Sequence, residues 1–100
     1  MIKHIVFWQL KDEAAGNSRE VNKQLVKEKL MTCASIVPGI LEFEVGLGGG
    51  DLECTYDVVL YSVFADKAAL DAYAVHPTHE AIKAFIGEVR SARQCMDYEV

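Results

Sequence analysis

The sequence lacks the features that mark several large classes of protein. It has no cluster of basic residues, and no apolar run approaches the roughly 18 residues of a membrane-spanning helix. Its first residues have a strand-like pattern and do not resemble a signal peptide. The net charge of -5 has the wrong sign for a protein whose main partner is a nucleic acid or an anionic membrane. We therefore expect a cytoplasmic protein with neither partner.

Cysteine is scarce and does not occur in a pairing pattern. Cys33, Cys54 and Cys95 form no C-x-x-C pair and have no metal-ligand spacing. Because disulfides are rare in the cytosol, we predict reduced thiols, structural at Cys33 and Cys95 and exposed at Cys54. The histidines have no carboxylate or cysteine at a supporting spacing. We accordingly expect no metal and no cofactor.

Two further motifs are missing. The glycine run 48–50 lacks the G-x-G-x-x-G spacing and is followed by no predicted helix, which argues against a phosphate-binding loop. None of the serines lies in the glycine-flanked turn that exposes a nucleophile in serine hydrolases.

What the sequence does contain is apolar patterning along one domain, residues 1–100, of which 51% are apolar. Period-two and helical spacings predict alternating strands and helices. The predicted elements are a strand at 2–10, a helix of about five turns from a cap at Asn17 or Ser18 to Pro38, strands at 41–47 and 56–64, a helical region from the cap Asp66 to Arg93 that breaks before Pro77, and a strand at 94–100. The order β-α-β-β-α-β predicts an α+β, ferredoxin-like fold: a four-stranded antiparallel sheet with its helices on one face.

The other face of that sheet needs a cover. Alternation in the first strand directs Val6 and Trp8 toward the helices, and Ile5 and Phe7 away from them. An apolar sheet face of this kind is not left in water, and a second copy packed sheet to sheet would bury it. We therefore predict a homodimer.

The candidate site is the stretch Tyr73–His79, YAVHPTH, together with His4 on the first strand. Histidine titrates near neutral pH and can act as a general base, and a tyrosine hydroxyl can donate to a developing oxyanion. We predict that Tyr73 and His79 are catalytic. The same residues have a purely structural explanation, in which His76 caps a restarted helix and His79 bonds a carbonyl in the break. We expect a pocket between helices and sheet that is lined by His4, Val6, Trp8, Tyr73, His76 and His79.

Four segments together resemble the stress-responsive A/B barrel domain family, called Dabb. They are the opening IKHIVFWQLKDE, the VPGI turn, the block from YDVVLYSVF to YAVHPTH, and the closing DYEV. The resemblance covers nearly the whole chain and implies a dimeric α+β barrel made of two ferredoxin-like protomers.

The resemblance also implies a chemistry. A plant polyketide cyclase of the family performs an aldol cyclisation, and its tyrosine, second histidine and first-strand histidine match Tyr73, His79 and His4. Its pocket aromatics on the first helix are not matched, since Val21 to Leu25 are aliphatic or polar here. We therefore expect a pocket for a small apolar or carbonyl ligand, with a cofactor-independent lyase or cyclase reaction if the protein is an enzyme. The alternatives are a non-enzymatic stress-response protein that acts through its assembly, and a small monooxygenase, haem-linked or cofactor-independent, of the dimeric α+β barrel group.

Overall fold

The computed structural model describes residues 1–53 and 55–100. The exposed thiol predicted at Cys54 therefore lies outside the described residues. The elements in chain order are β1 (Ile2–Leu10), β2 (Glu13–Ala14), β3 (Asn17–Ser18), α1 (Arg19–Met31), β4 (Ile40–Leu47), β5 (Val58–Phe64), α2 (Lys67–Val75), α3 (Pro77–Val89) and β6 (Arg90–Glu99). Among the described residues, no helix is long and apolar enough to cross a membrane.

The main sheet has four antiparallel strands in the order β4-β5-β1-β6. The two strands with apolar residues on both faces, β1 and β5, occupy the centre, as their composition predicts. The side chains of Val6, Leu60 and Phe64 are almost fully buried on the face that packs against the helices. The ferredoxin-like arrangement predicted from the sequence is confirmed.

The first helix is shorter than predicted. It begins after Ser18, whose hydroxyl accepts from the Val21 amide, but it ends at Met31 rather than near Pro38. Thr32 and Cys33 donate to carbonyls three residues earlier, so the chain tightens into turns. Cys33 remains fully buried in these turns. The apolar residues after Met31 pack on the core from turns rather than from a helix. Their spacing alone does not distinguish a helix from such turns.

The two sides of α1 also differ from the prediction. Val21, expected toward the sheet, is 47% exposed, whereas Lys23, expected in solvent, is only 7% exposed. The Lys23 ammonium donates to the Gly48 carbonyl, so its aliphatic stem covers the core while its charge is satisfied. Asn22 is also buried and donates to the Ala14 carbonyl of the small β2–β3 hairpin, an element that the sequence analysis missed.

The last strand begins earlier than predicted. Arg90 and Arg93 belong to β6 and not to the end of a helix. Strand β1 pairs with β6 over its whole length, from Ile2 opposite Glu99 to Leu10 opposite Arg90. This long-range ladder overrides the local helical preference, and it brings both arginines beside the inner face of the sheet.

Candidate functional site

A cavity of about 550 Å³ lies between the inner face of the sheet and the helices. This volume is within the range of small-molecule pockets. Its lining combines apolar side chains with polar groups from β1, β6, α2 and α3. The polar and charged residues of the lining include His4, Tyr73, His79, Arg90, Arg93 and Asp97.

Five of the six residues predicted to line a pocket do line this cavity: His4, Val6, Trp8, Tyr73 and His79. The sixth, His76, does not. Its Nδ1 accepts a hydrogen bond from the Thr78 amide at 3.1 Å and thereby caps α3. The structure therefore gives His76 the capping role that was the alternative explanation of the sequence.

The break between α2 and α3 determines where His79 points. In a continuous helix the Thr78 amide would donate to the Ala74 carbonyl, but here it donates to His76 instead. The freed Ala74 carbonyl receives a bond from His79 Nδ1 at 3.0 Å. Because a carbonyl only accepts, Nδ1 is the protonated nitrogen of the neutral His79 ring. Nε2 then carries the lone pair, which is the form that a general base requires.

Tyr73 is the most unusual residue of the site. It is 1% exposed and its ring packs on Phe64, with ring centres 5.2 Å apart, and on His79, at 4.6 Å. Its hydroxyl has no hydrogen-bond partner among the described residues. Leaving such a group unsatisfied costs about 1–3 kcal/mol. Burial, with a smaller effect of Cys33, raises the pKa of Tyr73 far above its usual value. The hydroxyl therefore stays protonated and is available as a donor.

The electrostatics of His79 suit its position beside this donor. Burial lowers the pKa of His79, and this effect outweighs the bond to Ala74, which favours the charged ring. The imidazole is therefore neutral at neutral pH. A protonated phenol and an unprotonated imidazole nitrogen thus lie side by side on one cavity wall.

His4 has a partner on β6 that the sequence pattern did not predict. The Nδ1 of His4 is hydrogen-bonded to a carboxylate oxygen of Asp97, which lies directly opposite it on β6. The His4 side chain is 13% exposed. A carboxylate at Nδ1 fixes the ring orientation and leaves Nε2 as the second nitrogen. Alternation along the last strand puts Asp97 on one face, but its pairing with His4 depends on the β1–β6 register, which no local pattern reveals.

The same pairing brings a cysteine close to His4. His4, Cys95 and Asp97 each offer a ligand atom, and these atoms lie within 4.8 Å of one another. The expectation of no metal considered sequence spacing only, and so it overlooked a cluster that forms across two strands. In this structure His4 and Asp97 bond each other, and burial and Asp97 raise the pKa of the Cys95 thiol. A metal would have to open that bond and displace the thiol proton.

The fold and the cavity define a ferredoxin-like α+β protein with a pocket between helices and sheet. Residues 2–100 match the model of the stress-responsive A/B barrel domain, and the chain belongs to that family. A dimeric ferredoxin-like protein of unknown function from Bacteroides fragilis is 32% identical, with a TM-score of 0.82 and coverage of 99% of this chain and 95% of that one. A similar dimeric protein of unknown function from Jannaschia is 30% identical, with a TM-score of 0.76 and coverage of 99% and 98%.

A more distant structure bears on one of the alternatives. An antibiotic biosynthesis monooxygenase superposes with a TM-score of 0.72 and coverage of 100% of this chain and 98% of that one, at 15% identity. A likeness at that identity is one of fold, and folds host many chemistries. A search of curated proteins found no match.

Proposed function

We propose that this protein is a homodimer whose cavity binds a small apolar carbonyl compound, and that Tyr73 and His79 catalyse a cofactor-independent lyase- or cyclase-type proton transfer there. The observation that carries the proposal is the buried hydroxyl of Tyr73, a residue of the cavity lining, which has no hydrogen-bond partner among the described residues. A carbonyl oxygen supplied by a ligand would accept its hydrogen bond and remove the cost of leaving it unsatisfied.

The proposed step is the formation and use of an enolate. Nε2 of His79 removes a proton from the carbon next to the ligand carbonyl, and the electron pair moves onto the carbonyl oxygen. The Tyr73 hydroxyl donates to that oxygen as its negative charge develops. The enolate carbon then attacks a second carbonyl of the same chain, and the proton on His79 passes to the new alkoxide. No electrons are lost or gained, so the step needs no oxidant or redox cofactor.

The enolisation step can be tested without knowledge of the natural substrate. In heavy water, NMR follows exchange of the α-hydrogens of octan-2-one, and the single tryptophan, Trp8, reports cavity occupancy by its fluorescence. The wild-type protein should accelerate exchange over buffer. His79→Gln and Tyr73→Phe should each lower the acceleration about 100-fold, in line with the loss of a general base or an oxyanion donor.

Folding and binding controls make the result decisive. Tyr73→Phe should keep or slightly raise the free energy of unfolding, because it deletes an unsatisfied hydroxyl, while ketone affinity falls about three- to tenfold. Tyr61→Phe, on the opposite face of the sheet, is the matched control and should leave exchange unchanged. Absence of exchange in the wild type, or full exchange in His79→Gln, would contradict the catalytic proposal.

A second candidate is a non-enzymatic stress-response protein that acts through its assembly. The observation that favours it is the apolar outer face of the sheet, where Phe7 is 41% and Met96 is 62% exposed. Under this hypothesis, variants that break the dimer would remove protection in a heat-stress growth assay, whereas Tyr73→Phe would not.

A monooxygenase would instead consume oxygen when a substrate is added, and an oxygen electrode measures that directly.

A further inference from the structure

The charged side chains that line the cavity differ in whether they form ion pairs. Two carboxylates, Asp71 and Asp97, contribute to the lining, and each has a partner: Lys67 bonds Asp71 at 2.7 Å, and His4 bonds Asp97. The lining lysine, Lys83, is paired with a glutamate at the start of α3. Each acidic side chain of the lining therefore already has a hydrogen-bond partner.

Two cations of the lining have no carboxylate partner among the described residues, although Arg93 lies beside the Cys95 thiol. The guanidinium groups of Arg90 and Arg93 both contribute to the lining, and neither forms an ion pair within residues 1–53 and 55–100. Arg93 lies opposite Trp8 in the β1–β6 ladder, so it is on the inner face of the sheet, next to the apolar part of the cavity. These are two of only ten lysines and arginines in a chain of net charge -5.

We propose that the ligand of this cavity carries a carboxylate, which Arg90 and Arg93 bind at the mouth while its apolar part lies in the interior. This inference rests on the proposed function and narrows its substrate class to an apolar oxo acid. Arginine suits the role because its planar group donates two parallel hydrogen bonds to a carboxylate. The wall of Val6, Leu60 and Ile82 suits the tail of such a molecule. With its acid at the arginines, the ligand can place a ketone deeper, at the Tyr73 hydroxyl.

Two probes with the same number of carbon atoms, one anionic and one neutral, separate the contribution of the carboxylate to binding from that of the apolar chain. Octanoate and octan-2-one are titrated against the wild-type protein and followed by Trp8 fluorescence, at low and at high salt. Octanoate should bind at least tenfold more tightly than the ketone at low salt. That preference should shrink as salt rises, because the arginines are accessible to solvent and screening weakens their attraction.

The arginine variants test which residues carry the preference. Arg93→Gln and Arg90→Gln should each reduce octanoate affinity about three- to tenfold and leave octan-2-one affinity within twofold. Lys27→Gln is the charge control, because it removes one positive charge from α1 at a residue that does not line the cavity. It should change neither affinity. Thermal unfolding of each variant shows whether it is folded.

The outcomes separate this inference from the proposed function. Equal or weaker binding of octanoate, or a preference that survives both arginine substitutions, would overturn the carboxylate assignment even if ketone exchange by Tyr73 and His79 were observed. If neither probe bound and no exchange occurred, both proposals would be wrong. A salt-sensitive preference lost in the arginine variants alone would support the assignment.

Discussion

At the scale of single residues, the same burial sets the protonation states of the Tyr73 hydroxyl and the His79 imidazole. A phenol buried in an apolar wall is held in its neutral form, and burial also keeps the imidazole beside it neutral. Each group is thus in the protonation state in which it can act, the phenol as donor and the imidazole as acceptor. Burial is the largest cause of both pKa shifts.

The lowered pKa of His79 predicts a specific pH dependence of stability. Below about 6.5, the usual histidine pKa, the unfolded chain takes up a proton that folded His79 resists. The free energy of unfolding should therefore fall as the pH drops below about 6.5. Above that pH, the contribution of His79 to stability should be fully present. Urea unfolding of wild type and His79→Gln, at about pH 5 and about pH 7.5, measures this contribution.

The glutamine variant keeps a donor for the Ala74 carbonyl but cannot titrate. Its loss of stability between the two pH values should be smaller than that of the wild type, by about 1.4 kcal/mol for each unit of the pKa shift. The other two histidines are present in both proteins, so their effects cancel in the comparison. Equal losses in the two proteins would show that folded His79 takes up protons as readily as the unfolded chain does.

At the scale of elements, the break between α2 and α3 could be predicted from the local sequence, whereas part of the site could not. Pro77 and His76 predicted the break, because proline restricts the residue before it and cannot donate a helical hydrogen bond. Tyr73 and His79, which flank that break, were selected by the chemistry of their side chains and by the family resemblance. Local patterns could not find Asp97 or Arg93, which reach the site through the register of β1 and β6, and registers are set by packing across the whole sheet.

The helix break also yields a prediction about His76. His76→Ala removes the side chain that accepts from the Thr78 amide, and loss of such a cap costs about 1 kcal/mol of unfolding free energy. His76→Asn, which supplies another capping oxygen, should restore most of that stability. Chemical denaturation of the two variants measures the difference.

Ligand binding separates capping from a role in the pocket. Because His76 does not line the cavity, His76→Asn should bind octan-2-one as the wild type does, with the same change in Trp8 fluorescence. A loss of affinity in His76→Asn despite restored stability would place His76 in the binding site after all.

At the scale of the whole molecule, the sheet face opposite the helices is unlike the rest of the surface. The register places Ile5, Tyr61 and Met96 side by side across three strands, and Phe7 lies two residues further along the same face. Glu42 and Glu44 lie at one margin of this face, on the edge strand β4. An apolar centre with a charged margin is the usual arrangement of a protein interface.

Dimer formation through this face is the prediction that concerns the whole assembly. Light scattering at micromolar concentration should give the mass of two chains for the wild type and of one chain for Met96→Asp, because the new carboxylate would be buried without a partner. Val75→Asp is the matched control: Val75 is 73% exposed at the end of α2, away from the sheet, and the variant should remain dimeric. A monomeric wild type, or a Met96→Asp variant of dimer mass, would show that the two sheets do not pack together in this way. Because residues of a single chain already enclose a cavity of about 550 Å³, we expect monomeric Met96→Asp still to bind octan-2-one.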